Sequence, residues 1–323
     1  MANYNCKSAI QSCVVMSEEN KLCKVCIVMP VHNRRDITLL CLRSLKRADK
    51  KNLDVKIIVV DDGSTDGTSE AIKSEFPEVE IVQGDGNLWY TEGTNVGVRK
   101  ALDYNPDYVL MCNNDQIFEE KSLRFLVETA EKNERSVVGG LLLLWDQPHK
   151  VFQTSPVWST LLGGWRHWRY QTVWTVPSSP WEVELIVGNC VLVPTKAIKE
   201  AGLMDSQHFP NFGDAEYTPR LRKLGWRLLI DPRARIFCQP NTTPAKVKTM
   251  SLRTKLNALL IDLKHPQNLR RRFYAYWFGA PSKLQGLIAF IIFLIRVLLK
   301  KNIESDSWAL KRIEKPLKEM VRS

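Results

Sequence analysis

Asp61-Asp62-Gly63-Ser64-Thr65-Asp66-Gly67 sets carboxylates and a glycine turn directly behind the apolar run Val55 to Val60. That run is too short for a helix and rich in β-branched residues, as a buried parallel strand is. Carboxylates at the carboxyl end of such a strand stand where open α/β sheets take their ligands. Gly63 permits the turn, and Ser64, Thr65 and Asp66 suit the N-cap of a helix running from Ser69 to Phe76. The alternative for this motif alone is a polar loop that only caps that helix.

Other strand ends carry similar groups. Lys24 to Met29 is apolar and runs into Pro30-Val31-His32-Asn33, and Asp107 to Cys112 runs into Asn113-Asn114-Asp115. Between them, Gly86-Asn87 opens a segment that passes through Asn95-Val96-Gly97 into a helical pattern from Val98 to Leu102. A parallel sheet presents all these ends to one crevice.

In this order the motifs resemble those of inverting family 2 glycosyltransferases of the GT-A fold, and the chain is similar to the rhamnosyltransferase-like enzymes of cell-surface polysaccharide assembly. Asn113-Asn114-Asp115 stands at that family's acidic metal motif, and Gly213-Asp214-Ala215-Glu216, followed by Arg220 and Gly225-Trp226, at its catalytic-base helix. The match runs from residue 24 to residue 245. Each motif is weak alone; their order gives the resemblance its weight. It implies an α/β GT-A (nucleotide-diphospho-sugar transferase) fold with a mostly parallel central sheet.

The resemblance also implies a chemistry. A sugar nucleotide leaves as a nucleoside diphosphate, whose growing charge needs a cation in place. Mg2+ or Mn2+ meets that need with oxygen ligands, and Asp115 is the expected protein ligand, a helix N-cap being its alternative. The expected donor-binding residues are Pro30, Val31, Asn33, Asp61, Asp62, Gly63, Ser64, Trp89, Asn95, Asn113, Asn114 and Asp115. Of these, Asp62 is assigned to the nucleoside, Asp61 to the loop, Asn95 to a helix start facing the nucleotide, and Trp89 to the pocket lining while Tyr90 packs. Asp214 is the expected base that takes the acceptor's proton, with Glu216 as alternative base or, for both, a capping and Arg220-pairing role. Gly188, Asn189, Trp165 and Glu216 are the expected acceptor-binding residues.

The sequence departs from the family in places. Asn113 replaces an acidic residue and is assigned to ribose or diphosphate. Gly213 stands where many relatives have an acid, and Pro219 interrupts the base helix. Cys238-Gln239 ends the strand where many relatives carry a histidine ligand; a thiol suits magnesium poorly, so water or His208 is the expected substitute.

Residues 1–22 are expected as a loose leader, 23–245 as the catalytic domain, with donor half 23–120 and acceptor half 121–245, and 246–323 as a basic tail. From Lys246 onward lie 17 of the 46 Lys and Arg but only 5 of the 35 Asp and Glu, a net of +12 against −1 for the rest. Leu284 to Leu299 is almost wholly apolar yet shorter than the roughly 20 residues a span needs, so an interfacial helix on an anionic membrane surface is expected. Ile303 to Val321 continues with helical apolar spacing. A helix pair packing on the domain, or a homodimer through the tail, is the alternative, and nucleic acid is disfavoured because no binding motif accompanies the charge. Trp158, Trp165, Trp168, Trp174 and Trp181 interleave with Arg166, His167 and Arg169, which suits sugar stacking and phosphate contact or a packed hairpin.

Eight cysteines follow no secretory signal peptide, which fits reduced thiols on the cytoplasmic side; Cys23 and Cys26 have no second pair to make a zinc site. The expectation is a metal-dependent enzyme at the cytoplasmic membrane face, moving one sugar to a lipid-linked or polysaccharide acceptor. A processive synthase is disfavoured for want of a Gln-x-x-Arg-Trp motif and several spans. A silent membrane-bound scaffold of the same fold and a sugar nucleotidyltransferase are the alternatives.

Overall fold

The structure, a computed structural model, describes residues 22–153, 156–166, 170–239, 251–263, 265 and 268–298. Four strands, β1 (Cys23–Val31), β2 (Leu53–Asp61), β3 (Glu80–Gln83) and β4 (Tyr108–Cys112), form the parallel half in the order β3-β2-β1-β4. Val25 to Met29 and Ile58 to Val60 are at most 2% exposed, as strands covered on both faces must be.

Helices α1 (Arg35–Arg47) and α2 (Thr68–Glu75) cover one face through Cys41, Leu42, Leu45 and Ile72. On the other, α3 (Trp89–Leu102) packs Val98 and Ala101. It lies so close that a β-carbon on Gly97 would run into Val28 and Val60. Helix α4 (Ser122–Lys132) joins the first face, and α5 (Thr195–Ala201) and α6 (Asp214–Lys223) the second.

The second half adds β5 (Gln116–Phe118), β6 (Ser136–Leu144), β7 (Gln147–Gln153), β10 (Trp181–Glu182), β11 (Cys190–Pro194) and β12 (Arg227–Cys238), while β8 (Val157–Ser159) and β9 (Gly164–Arg166) form a separate hairpin. From β4 the sheet continues β11-β6-β12-β10, with β11 antiparallel to both neighbours and β12 parallel to β6. Strands β6 and β12 therefore point the same way as β4, and six of the ten strands share one direction. The sheet is thus mostly parallel, as expected, and mixed through β11 and the short antiparallel strands.

Two elements differ from expectation. Helix α3 begins at Trp89, nine residues before Val98, and Trp89 itself is left-handed at φ 60°. Its amide donates to Asp62 Oδ2 at 3.0 Å, so the helix starts on a carboxylate from another strand. The second is Pro219 inside α6. Proline cannot donate to the carbonyl four residues back, and the Ala215 carbonyl so released is covered by Gly279, whose added β-carbon would lie 2.9 Å from it.

Gly279 ends α8 (Leu269–Gly279), which follows α7 (Leu252–Leu256) and a π turn at Asn257–Ile261. Helix α9 (Lys283–Leu298) packs against α8 and β9. Gly286, Ala289 and Phe293 are its buried positions; Leu284, Leu287, Ile288, Ile291 and Ile295 are exposed. No helix among the described residues is long and apolar enough to cross a membrane. The expected leader to residue 21, His167 to Arg169 and the pattern from Ile303 to Val321 lie outside the described residues.

Candidate active site

Asp214 opens α6 with its carboxylate 8% exposed, and Oδ2 accepts the Gly188 amide at 2.8 Å. On the other side of that residue, the Tyr90 hydroxyl donates to the Gly188 carbonyl at 2.7 Å. Gly188 is thus a backbone strap between the carboxylate and the phenol. Burial pushes the Asp214 carboxyl above the ordinary range, and the Gly188 amide pulls it partly back. Burial, then the neighbouring Asp214 charge, pushes the Tyr90 phenol well up. Tyr90 was expected only to pack, and its place beside Asp214 was missed. Gly213 has no room for an acidic side chain: its β-carbon would stand 2.6 Å from Thr91 Cγ2 and 3.0 Å from Met204 Sδ.

The strap continues into the turn between β4 and β5. Asn189 O accepts both the Asn113 amide at 3.0 Å and Gln116 Nε2 at 2.8 Å. Within this turn Asn113 Oδ1 and Asp115 Oδ1 are buried oxygens without a partner. Buried polar atoms are nearly always paired, so two such oxygens two residues apart are places for a donor group or a hard cation. The second Asp115 oxygen meets Arg34 Nη1 at 3.1 Å. Arg34 Nη2 donates in turn to Gln239 Oε1 at 2.8 Å, and the Gln239 amide to Asp115 O at 3.2 Å. Neither Arg34 nor Gln239 was expected here, because nothing local in the sequence joins residues so far apart.

The β2 loop is built from its own side chains. Asp61 accepts the Ser64 amide at 2.9 Å on Oδ1 and the Ser69 hydroxyl on Oδ2, which makes it the organiser of the turn. Asp62 accepts the Gly86 amide at 2.8 Å besides that of Trp89. Ser64 Oγ accepts the Asn33 amide at 2.7 Å, and Asn33 Oδ1 the Thr65 amide at 2.9 Å. Gly63, at φ 70°, approaches Gly86 closely enough that a β-carbon would be 3.0 Å from its Cα.

Several residues expected at the site are engaged within the protein. Asn95 sits inside α3, 3% exposed, and spends its amide on the Met204 backbone at 2.9 and 3.0 Å and on Glu92. It pins two segments together. Asn114 donates to Thr38 Oγ1 at 2.8 Å in the α1 layer, Val31 belongs to the core, and Pro30 packs under Gly93. Glu216 pairs with Arg220 at 2.7 Å, the pairing alternative read from the sequence. His208 pairs with Asp205 at 2.6 Å and meets the Tyr274 ring edge-on. Cys238 is buried with its thiol raised well above the usual range by desolvation. Among the described residues no three His, Cys, Asp or Glu cluster as a ready-made metal site.

Trp165, expected to bind the acceptor, is half-buried and packs edge-on against Trp158. Its indole Nε1 is buried without a partner and lies 3.3 Å from the β-carbon position of Gly279, the residue that also meets Ala215 O. Trp89 is 40% exposed beside the Asp62 loop.

Residues 26–171 match the family described as glycosyl transferase family 2. This matched stretch is 146 of the 323 residues. It holds Asp61, Asp62, Asn113 and Asp115; Gly188 and Asp214 lie beyond the matched stretch. The chain is 25% identical over 218 residues to the N-acetylglucosaminyl-diphospho-decaprenol L-rhamnosyltransferase of Mycobacterium tuberculosis, covering 61% of this chain and 69% of that protein. It is 25% identical over 121 residues to the GalNAc(5)-diNAcBac-PP-undecaprenol beta-1,3-glucosyltransferase of Campylobacter jejuni, covering 37% of this chain and 38% of that protein. In fold it is similar to GalNAc-T7, solved with UDP, GalNAc and Mn2+, at a TM-score of 0.57 and 14% identity over 92% of this chain and 57% of that one.

Proposed function

We propose that the chain is an inverting glycosyltransferase that moves one sugar from a nucleotide-diphosphate donor to a lipid-linked or polysaccharide acceptor. The observation that carries this reading is the Gly188-Asn189 strap. It ties a buried carboxylate, Asp214, to the turn that bears the two unpartnered oxygens of Asn113 and Asp115. A proton acceptor and a place for a charged leaving group are what the reaction needs on either side of the sugar.

In the step, the acceptor oxygen bonds to the anomeric carbon while the bond from that carbon to the diphosphate oxygen breaks. Its electron pair leaves with the nucleoside diphosphate, and the acceptor proton passes to an Asp214 oxygen. The raised Asp214 value makes it a stronger base than an exposed aspartate. Tyr90 and Gly188 fix its direction. Asn113 and Asp115 offer hard oxygens, which fit Mg2+ or Mn2+, whereas Cys238 does not. Bound there through Asp115, the cation would neutralise charge growing on the diphosphate. Asp62, Asn33, Gly63, Ser64 and Trp89 bound the donor end, and Trp165 offers its indole to the acceptor.

The exposed apolar face of α9, ending in Arg296, supports peripheral attachment to an anionic membrane surface on the cytoplasmic side, where lipid-linked acceptors are reached. The test is the anomeric configuration of the product by NMR. Inversion relative to the donor is the expected result; retention would contradict a single displacement with Asp214 as base.

A further inference from the structure

Arg34 holds the one Asp115 oxygen that is not left open, and it does so from an unusual backbone. Asn33 and Arg34 are consecutive left-handed residues, at φ 57° and 64°, a region that non-glycine residues occupy at a cost. The conformation is fixed on both sides, by Asn33 against Ser64 and Thr65 and by the Arg34 carbonyl accepting the Thr38 amide at 3.1 Å. Its result is to aim a guanidinium into the leaving-group side of the site. The Arg34 side chain is 47% exposed and that of Asp115 only 8%, so a cationic arm reaches in from solvent to a buried carboxylate. Gln239 clamps the other guanidinium nitrogen at 2.8 Å, just past the end of β12.

We propose that Arg34 is a resident counter-cation, which keeps a divalent cation off Asp115 until a sugar-nucleotide diphosphate arrives to take the guanidinium. The inference rests on the glycosyl-transfer reading. A divalent ion alone must displace Arg34 from Asp115 Oδ2 or sit against it, and either adds like-charge repulsion. A diphosphate changes the balance, because its oxygens offer the planar guanidinium a bidentate partner. Donor and cation then enter together, and Asp115 is never left as an unpaired buried charge.

The experiment titrates Mn2+ alone, following free Mn2+ by electron paramagnetic resonance, into wild type, Arg34→Ala, Arg34→Gln, Asp115→Asn and the Arg34→Ala/Asp115→Asn double variant. Circular dichroism checks folding, and Arg34→Gln serves where Arg34→Ala does not fold. Removing the arginine charge is expected to tighten Mn2+ binding about fivefold, the upper range for a pair with one partner half-exposed. The double variant loses that gain. Equal or weaker binding without Arg34, with Asp115→Asn still reducing it, overturns the counter-cation role and leaves the metal reading standing. Binding that ignores Asp115 in every variant overturns both.

Discussion

Gly188→Ala is the sharpest perturbation of the proposed site, because the strap leaves no space for a methyl group. The added β-carbon would stand 2.6 Å from Asp214 Cβ, 2.8 Å from its Cγ and 2.8 Å from Tyr90 Oη. Carbon atoms rest at about 3.5–4.0 Å, so the carboxylate or the strap must move by roughly 1 Å. Neither is the free end of a long side chain, since Asp214 and Tyr90 are both bonded to Gly188 itself. A misplacement of about 1 Å at a reacting group costs on the order of 100-fold in rate. The packing strain costs about 1–3 kcal/mol, or roughly 2–4 °C of Tm for each kcal/mol in a protein of this size. The assay is kcat and donor KM from nucleoside diphosphate release, with Tm by calorimetry. The expected pattern is a fall of about 100-fold in kcat with donor KM little changed, because the donor loop makes none of these contacts. A kcat near wild type with a lowered Tm would refute the positioning argument and leave Gly188 a packing residue.

Asp214→Asn should lower kcat by about 10²–10⁴-fold, and the acid limb of the wild-type pH profile should lie above the ordinary aspartate range. The same raised value fixes a stability sign. Protonation favours the folded form, so the ionised carboxylate opposes folding at neutral pH, and that penalty is absent below the unfolded-state value. Asn keeps an oxygen for the Gly188 amide, so Tm at pH 7 should match or exceed wild type and the difference should vanish in acid. Asn95→Ala leaves the Met204 amide and carbonyl unpaired, at about 1–3 kcal/mol each; urea unfolding should show the loss while donor KM stays within about twofold, where the earlier nucleotide assignment of Asn95 requires a large rise.

The parallel half of the sheet was legible because each strand is a contiguous β-branched run ending in polar residues, as Val55 to Val60 does before Asp61. Helix α6 was legible as the helix-like run from Ala215, which Asp214 opens. Helix α3 was misplaced because nothing in Leu88 to Gly93 caps it; Asp62, on another strand, receives its first amide. Asn95 was therefore read at a helix start, whereas it lies seven positions from the cap and bonds the Met204 backbone. Short edge strands such as β5 and β10 carry too few residues to show a period. The Arg34, Asp115 and Gln239 contacts join residues 81 and 205 positions apart, which no local pattern encodes.

The central claim is that Asp214 and Asp115 serve one glycosyl transfer. It is tested most directly by nucleoside diphosphate release from a panel of sugar nucleotides, with Mn2+ or Mg2+ and extracted membrane lipid, for wild type, Asp115→Ala and Asp214→Asn. The account predicts release from one donor, reduced at least about 100-fold by either substitution, with Asp115→Ala also blunting the response to the cation. Release at the wild-type rate in both variants, or from no donor on the panel, would contradict it.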